Sequence, residues 1–459
     1  MKHSNNNQTF IKLRKEYPTF VFENYSVSTY SNVLKIEFEF YVSDKIHFYP
    51  ELTFPIKDIN LKNRLSEIDL RNLVFHIGMI ELISYWKATC SPQIIIKPHL
   101  INSKQILWWK KIYFEGLGEF FHLNEILTDF DSFVEIKSIS EDVLSIQNFD
   151  LIDKVLVPIG GGKDSIVSLE LLKSSNMELS PFVLNMNAAR ERTIQTAGFD
   201  SSEIIEIKRR IDPKLLELNS QGFLNGHTPF SALLAFSSLL AAVINGYKHI
   251  ALSNESSANE STVAGSNVNH QYSKSYEFES DFRDYFSKYI SRDLNYFSFL
   301  RPLNELQIAA LFSKFTKYFP VFRSCNVGSK TDEWCGKCPK CLFTYVILSP
   351  FLSGYELNLI FKRNLLDDKA LLPIFDELIG VGPTKPFECV GTLDDVNAAL
   401  VLTIKKHQES KLPVLLDYYL KTAAFVSSKN LNTNKLLTEI NSEHFLNYSF
   451  LSILKAKLK

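Results

Sequence analysis

Three consecutive glycines separate an apolar strand pattern from an amphipathic helix pattern in Lys154-Val-Leu-Val-Pro-Ile-Gly-Gly-Gly-Lys-Asp-Ser165, which continues Ile-Val-Ser-Leu-Glu-Leu-Leu. Glycine weakens regular structure, so Gly160, Gly161 and Gly162 in a row need a reason; a backbone that must approach a ligand or adopt positive φ supplies one. A helix beginning near Asp164 directs its free N–H groups and the positive end of its dipole at that turn. Strand, glycine turn and helix N-terminus together form a site for phosphate or pyrophosphate. This segment therefore demands an α/β unit in which a buried strand delivers the turn to a cleft.

The chain around it reads accordingly. Lys154–Pro158, Ser180–Leu184, Ile204–Ile207 and His249–Leu252 have strand character. They alternate with helical patterns over Asp164–Leu172, from Glu191 to Ala197, and over Ser231–Asn245. Such alternation predicts a central parallel sheet with helices on both faces, and ligands at the carboxyl ends of its strands. Ahead of it, Thr19-Phe-Val-Phe and Val33–Val42 alternate with period two and predict an antiparallel pair. Helices are expected near 67–90 and over 104–122, with a buried strand at Gln93–Ile96 between them. The tail beyond about 350 reads as mostly helical. The expected organisation is an N-terminal α+β region over 1–150, a nucleotide-binding domain over 151–345, and a helical region over 346–459.

With 459 residues, 45% hydrophobic and 22% charged, the chain is long enough for several domains and ordinary for a globular protein. A formal net charge of −1 gives no global electrostatic case for nucleic acid or an anionic membrane. No apolar run reaches transmembrane length, and Met1–Gln8 has no signal-peptide core, so a cytoplasmic location is expected. Of the six cysteines, Cys325, Cys335, Cys338 and Cys341 have the spacing C-x9-C-x2-C-x2-C. In a reducing compartment this points to a metal knuckle. Four thiolates suit structural Zn²⁺, and an iron–sulfur cluster is the competing occupant.

The loop's spacing excludes two familiar phosphate motifs. Asp164 separates Lys163 from Ser165, which breaks the Walker pattern, and the dinucleotide fingerprint is absent. What remains resembles the pyrophosphate loop of N-type ATP pyrophosphatases, Ser-Gly-Gly-x-Asp-Ser, with Gly160 replacing the leading Ser and removing one hydroxyl contact. That resemblance implies an adenine nucleotide alpha hydrolase-like sheet, and cleavage of ATP between its α and β phosphates to adenylate a substrate.

Further segments narrow the resemblance. Leu73-Val-Phe-His-Ile-Gly, Ser84-Tyr-Trp-Lys, Gly116-Leu-Gly-Glu-Phe-Phe, Gly226-His-Thr-Pro, Ser253-Asn-Glu-Ser-Ser-Ala-Asn-Glu, Asn269-His-Gln-Tyr-Ser-Lys-Ser, the cysteine cluster and Lys385-Pro-Phe-Glu-Cys-Val-Gly-Thr together resemble the MurL family of ATP-dependent epimerases. The resemblance runs from about 70 to about 395. It implies a step in peptidoglycan precursor synthesis: inversion of the terminal L-Glu of UDP-MurNAc-L-Ala-L-Glu to D-Glu with ATP and Mg²⁺. A companion ligase would supply that substrate by adding L-Glu. Neither nucleic acid nor membrane is implied as a partner. The rival reading is another adenylating enzyme with this loop, of the deazaguanine nitrile synthase or tRNA thiolase type.

On this reading Gly160, Gly161, Gly162, Lys163, Asp164 and Ser165 hold the ATP phosphates, with Asp164 as a Mg²⁺ ligand or a helix N-cap. Asn185 and Asn187 follow the second strand, where adenine or ribose would sit; turn chemistry is their alternative role. Asn254 and Glu255 lie past a strand end in a polar run that no core needs. Asn254, His270, Gln271, Lys274 and Arg301 are the substrate-binding candidates, with Lys274 and Arg301 for anions. For proton transfer at the α carbon the candidates are His227, Cys389 and Glu255.

Overall fold

A computed structural model describes residues 6–57, 66–263, 265–266, 268–329, 331–382, 384–407 and 411–458. The start of the Met1–Gln8 segment lies outside these residues. The strands are β1 (Thr19–Tyr30), β2 (Val33–Val42), β3 (Ile46–Phe48), β4 (Glu51–Pro55), β5 (Gln93–Ile96), β6 (Glu135–Ser138), β7 (Ile152–Pro158), β8 (Leu179–Leu184), β9 (Ile205–Arg210), β10 (Tyr247–Leu252) and β11 (Asn295–Ser298). The chain forms two compact units that are not consecutive in sequence. One comprises 1–154, 205–250 and 267–295; the other comprises 155–204, 251–266 and 296–459.

In the first unit the strand order is β9-β4-β2-β1-β5-β6, with β3 also pairing β2. β1 and β2 pair antiparallel as their alternation predicts, with a bulge between Phe22 and Asn24, and β5 joins β1 and β6 in parallel. Along β2 the buried set is Leu34, Ile36, Phe38, Phe40 and Val42, every second residue, so one face of this sheet is core. The helix Glu67–Glu81 starts with a capping box at Ser66 and Asp69 and lies on that face. Its contact is close at Gly78: a Cβ there would lie 2.9 Å from Phe38 Cδ1. Helices Ser103–Gly116, Phe230–Asn245 and Tyr276–Tyr289 complete this unit's core. Inside it, His76 Nε2, Gln105 Nε2 and Trp109 Nε1 meet the Tyr285 hydroxyl at 3.0, 3.2 and 2.9 Å.

One sequence expectation is corrected here. The alternating strands read as a purely parallel sheet, but the end of β9, Lys208–Arg210, pairs antiparallel with β4, so the sheet is mixed. Opposite charges explain the choice of partner. Arg210 stands directly opposite Glu51 and pairs with it at 2.7 Å, while Arg209 forks onto the buried Glu81 carboxylate at 2.9 and 3.0 Å.

The remaining strands run in the order β11-β10-β7-β8, and β7 and β8 are parallel. Helices Lys163–Lys173 and Ala188–Thr196 follow β7 and β8. From Glu305 to Lys457 the described segments form helices and short turns without a strand, which includes the tail beyond about 350 that the sequence reads as mostly helical. The chain is thus α/β with a mixed sheet and a helical C-terminal region. Among the described residues, no helix is long and apolar enough to cross a membrane.

Candidate functional site

The glycine turn sits where the sequence places it, between β7 and the helix Lys163–Lys173, in the second unit. Gly161 has φ of +87°, and a Cβ there would meet the backbone of Ala189 and Arg190 at 3.3 Å; a side chain would be both strained and crowded. Arg323 N donates to Gly161 O at 2.9 Å and fixes the turn from outside. A Cβ on Gly160 would meet nothing within 4 Å, so this part of the loop faces open space. Gly162 occupies the N-cap without a side-chain cap, which leaves the first N–H groups of the helix for a ligand or solvent. Ser165 Oγ donates back to Gly162 O at 3.0 Å. These features fit a phosphate group bound through backbone.

Lys163 has a role the sequence does not show. Its ammonium is buried, 2.5 Å from Asp164 and also paired with Glu305. Burial works against the charge, but Asp164 and Glu305 outweigh it and hold the group above its ordinary range. Two further carboxyls, Glu255 and Asp395, are buried nearby. Burial raises the Glu255 pKa, aided by the charges of Asp395 and Asp164 and opposed by its bonds from Ser257, including Ser257 Oγ at 2.7 Å. Burial likewise raises Asp395, against hydrogen bonds from Thr392. The cluster holds four carboxyls against one ammonium, and two of the four, Glu305 and Asp395, are missed by sequence reasoning. Nothing marks them in sequence except helix starts: Glu305 follows the cap Asn304, and Asp395 completes a capping box with Thr392.

The other candidates of this unit are placed as follows. Asn187 caps the helix Ala188–Thr196 by accepting from Arg190 N at 3.0 Å, and Asn185 has φ of +57° in the preceding turn. Asn254 Nδ2 donates to Ser298 Oγ at 3.1 Å. Arg301 is completely buried and donates to Glu255 O at 2.5 Å and Ser298 Oγ at 3.3 Å, bracing the loop that carries Asn254 and Glu255. Cys389 is half-buried; Gly391, two residues on, runs so close to Glu305 that a Cβ would lie 3.1 Å from its Cγ.

The four cysteines converge as their spacing predicts. Cys325 and Cys338 are 3.7 Å apart, Cys335 and Cys341 3.7 Å, and Cys338 and Cys341 3.5 Å. A tetrahedron with metal–sulfur bonds of about 2.3 Å has edges of about 3.8 Å, so these sulfurs suit a metal such as zinc. Gly328 N donates to Cys325 Sγ at 3.1 Å and Gly336 N to Cys341 Sγ at 3.3 Å, orienting the sulfurs from the backbone.

In the first unit, two residues from different sequence segments meet a third that sequence reasoning missed. His227 Nδ1 lies 3.3 Å from Glu119 Oε2, and His270 Nδ1 contacts the same oxygen. The imidazole rings are 4.7 Å apart. Glu119 belongs to the Gly116-Leu-Gly-Glu-Phe-Phe stretch; a carboxylate before two phenylalanines was its available signal. Gln271, next to His270, is buried, with its N–H bonded to Asn269 Oδ1 at 2.7 Å; Lys274 is half-buried in the following turn.

A family model described as the MurL N-terminal domain matches residues 12–299, and one described as the MurL C-terminal domain matches 321–433. The chain belongs to the MurL family. Among curated relatives, the UDP-N-acetyl-alpha-D-muramoyl-L-alanyl-L-glutamate epimerase of Xanthomonas oryzae pv. oryzae (strain MAFF 311018) is 33% identical over 376 residues, 80% of this chain and 82% of that protein. Its namesake from Micromonospora sp. (strain ATCC 39149 / NRRL 15099 / SCC 1413) is 34% identical over 340 residues, 72% of this chain and 75% of the relative. The Salinispora tropica protein of the same name is 35% identical over 333 residues. The glycine turn, the cysteine cluster and the Glu119–His227–His270 cluster all fall within or between the two matched MurL regions.

Proposed function

We propose that this MurL-family chain epimerises the terminal L-Glu of UDP-MurNAc-L-Ala-L-Glu to D-Glu in peptidoglycan precursor synthesis, with activation of the α-carboxylate by ATP. The name shared by the relatives supports the substrate. The observation that carries the activation step is the glycine turn: an uncapped helix N-terminus behind three glycines, with open space at Gly160. The turn acts as a pyrophosphate loop of the N-type ATP pyrophosphatase kind, with Mg²⁺ accompanying the nucleotide beside Asp164.

The chemistry explains the need for ATP. A proton on carbon next to a carboxylate is hard to remove, because the carbanion forms beside an existing negative charge. Attack of the carboxylate oxygen on the α phosphorus expels pyrophosphate and leaves an acyl-adenylate, whose carbonyl no longer carries the carboxylate's charge and accepts the electron pair when the α proton leaves. Reprotonation on the opposite face and hydrolysis give D-Glu and AMP. For proton transfer we assign Glu255, a buried carboxyl just past the end of β10 in the same unit as the glycine turn, whose pKa burial raises above the ordinary carboxylate range. The companion ligase that adds L-Glu is the expected source of substrate, and the cysteine cluster holds structural zinc.

The test is incubation with UDP-MurNAc-L-Ala-L-Glu, ATP and Mg²⁺ in D₂O, reading AMP, glutamate configuration and deuterium at the α carbon. D-Glu carrying deuterium, with AMP formed only when substrate is present, is the expected result; a folded protein that gives neither sinks the reading. The Glu255→Gln variant should retain ATP–pyrophosphate exchange dependent on the muramoyl dipeptide and lose α-hydrogen exchange. Loss of both would remove Glu255 from proton transfer.

A further inference from the structure

The Glu119–His227–His270 cluster asks for an occupant. Its ligand atoms, one from each residue, all lie within 4.8 Å of one another. Two atoms bound to one metal at about 2.1 Å, at angles between 90° and 109°, stand roughly 3.0 to 3.4 Å apart. The 3.3 Å between His227 Nδ1 and Glu119 Oε2 falls in that range, while His270 Nδ1, from a third chain segment, sits closer to the same oxygen, at hydrogen-bond contact. Glu119 is only 3% exposed, and a polar side chain buried to that extent requires partners for its oxygens.

The frame holding these side chains is rigid. Lys87 Nζ donates to Gly226 O at 2.6 Å, and Asn124 Nδ2 donates to Asn225 O at 3.3 Å, fixing the segment that presents His227. Gly226 passes so close to Phe120 that a Cβ would lie 2.9 Å from its Cδ2, which locks that segment onto the short helix carrying Glu119. Asn269 Oδ1 accepts from Gln271 N at 2.7 Å and stiffens the turn around His270. Ligands fixed by surrounding hydrogen bonds and packing are what a metal site requires.

We propose that Glu119, His227 and His270 bind a divalent first-row transition-metal ion. Two imidazoles and one carboxylate are the donor set of open sites, in which the remaining positions take water or an oxygen donor of a substrate. This differs from the four-cysteine site, where every position is filled by protein. It also gives His227, a candidate for proton transfer from sequence, the role of a ligand instead. The inference stands on the first unit alone and does not depend on the adenylation chemistry.

The experiment uses the full chain, loaded with Zn²⁺ or Co²⁺ and freed of excess metal. Expected are two equivalents per wild-type chain by elemental analysis, and one for His227→Ala/His270→Ala. In the Co²⁺ form, intense sulfur-to-metal charge transfer persists in that variant while the weaker absorption of the nitrogen–oxygen site disappears. Glu119→Gln, which keeps the side chain's shape, is the second variant should the double variant fail to fold; it should weaken the second equivalent at least tenfold in competition with a chelator. One equivalent in the wild type, or equal metal content and spectra in wild type and the folded variants, overturns the proposal.

Discussion

Lys163 shows how a single buried charge is fixed by its neighbours. Of its two partners Glu305 is buried and Asp164 partly exposed, so removing the ammonium strands the Glu305 carboxyl in the interior. Lys163→Met should cost about 3–5 kcal/mol in denaturant unfolding. Glu305→Gln, which leaves Asp164 as counter-ion, should cost clearly less; equal losses would show that the ammonium does not depend on this pair. His76 makes a separate prediction. Burial lowers its pKa from 6.5 to about 4, against the hydrogen bond to Asn72 O. A depressed folded pKa contributes stability that is present above about 6.5 and lost as pH falls through 4. The shift corresponds to about 3 kcal/mol. His76→Gln cannot titrate, so its unfolding free energy should fall less steeply than that of the wild type between pH 6.5 and 4. Parallel slopes would refute the assignment.

Among the elements, the helix Glu67–Glu81 is held at its closest approach by the absence of a side chain at Gly78. Phe22 and Phe38 occupy the space a Cβ would need, and both are fully buried. Gly78→Val should cost about 1–3 kcal/mol or more from overpacking, despite the better helix propensity of most residues over glycine. A stabilised variant would mean that the rings yield freely. Element type was largely legible in sequence, because period two along β2 and period 3.6 in the helices report burial directly. Pairing was less legible. The antiparallel partner of β9's end, β4, is signalled only by Glu51, which lies far away in sequence and pairs with Arg210.

At the scale of the whole molecule, metal should be part of the fold. Cys325, Cys338 and Cys341 lie within the second unit's core with Cys335 packed against it, where Trp334 packs on Phe322 and Phe361 at 5.2 and 4.8 Å. Chelation should lower the thermal midpoint and shift Trp334 fluorescence to the red, with Cys338→Ser behaving like the chelated wild type. A Trp334→Phe control identifies the reporter, and an unchanged midpoint after metal removal would sink a structural role. The sequence by itself determined what local spacing encodes: the glycine turn with its strand and helix, the cysteine knuckle, the antiparallel β1–β2 pair and the family. Only tertiary structure decided which distant side chains meet. Glu305 pairs with Lys163 on the glycine turn's helix, Asp395 feels the same ammonium's charge, and Glu119 joins His227 and His270, all across more than a hundred residues. Local periodicity reports whether a residue is buried, whereas the identity of its neighbour depends on how separate segments pack together.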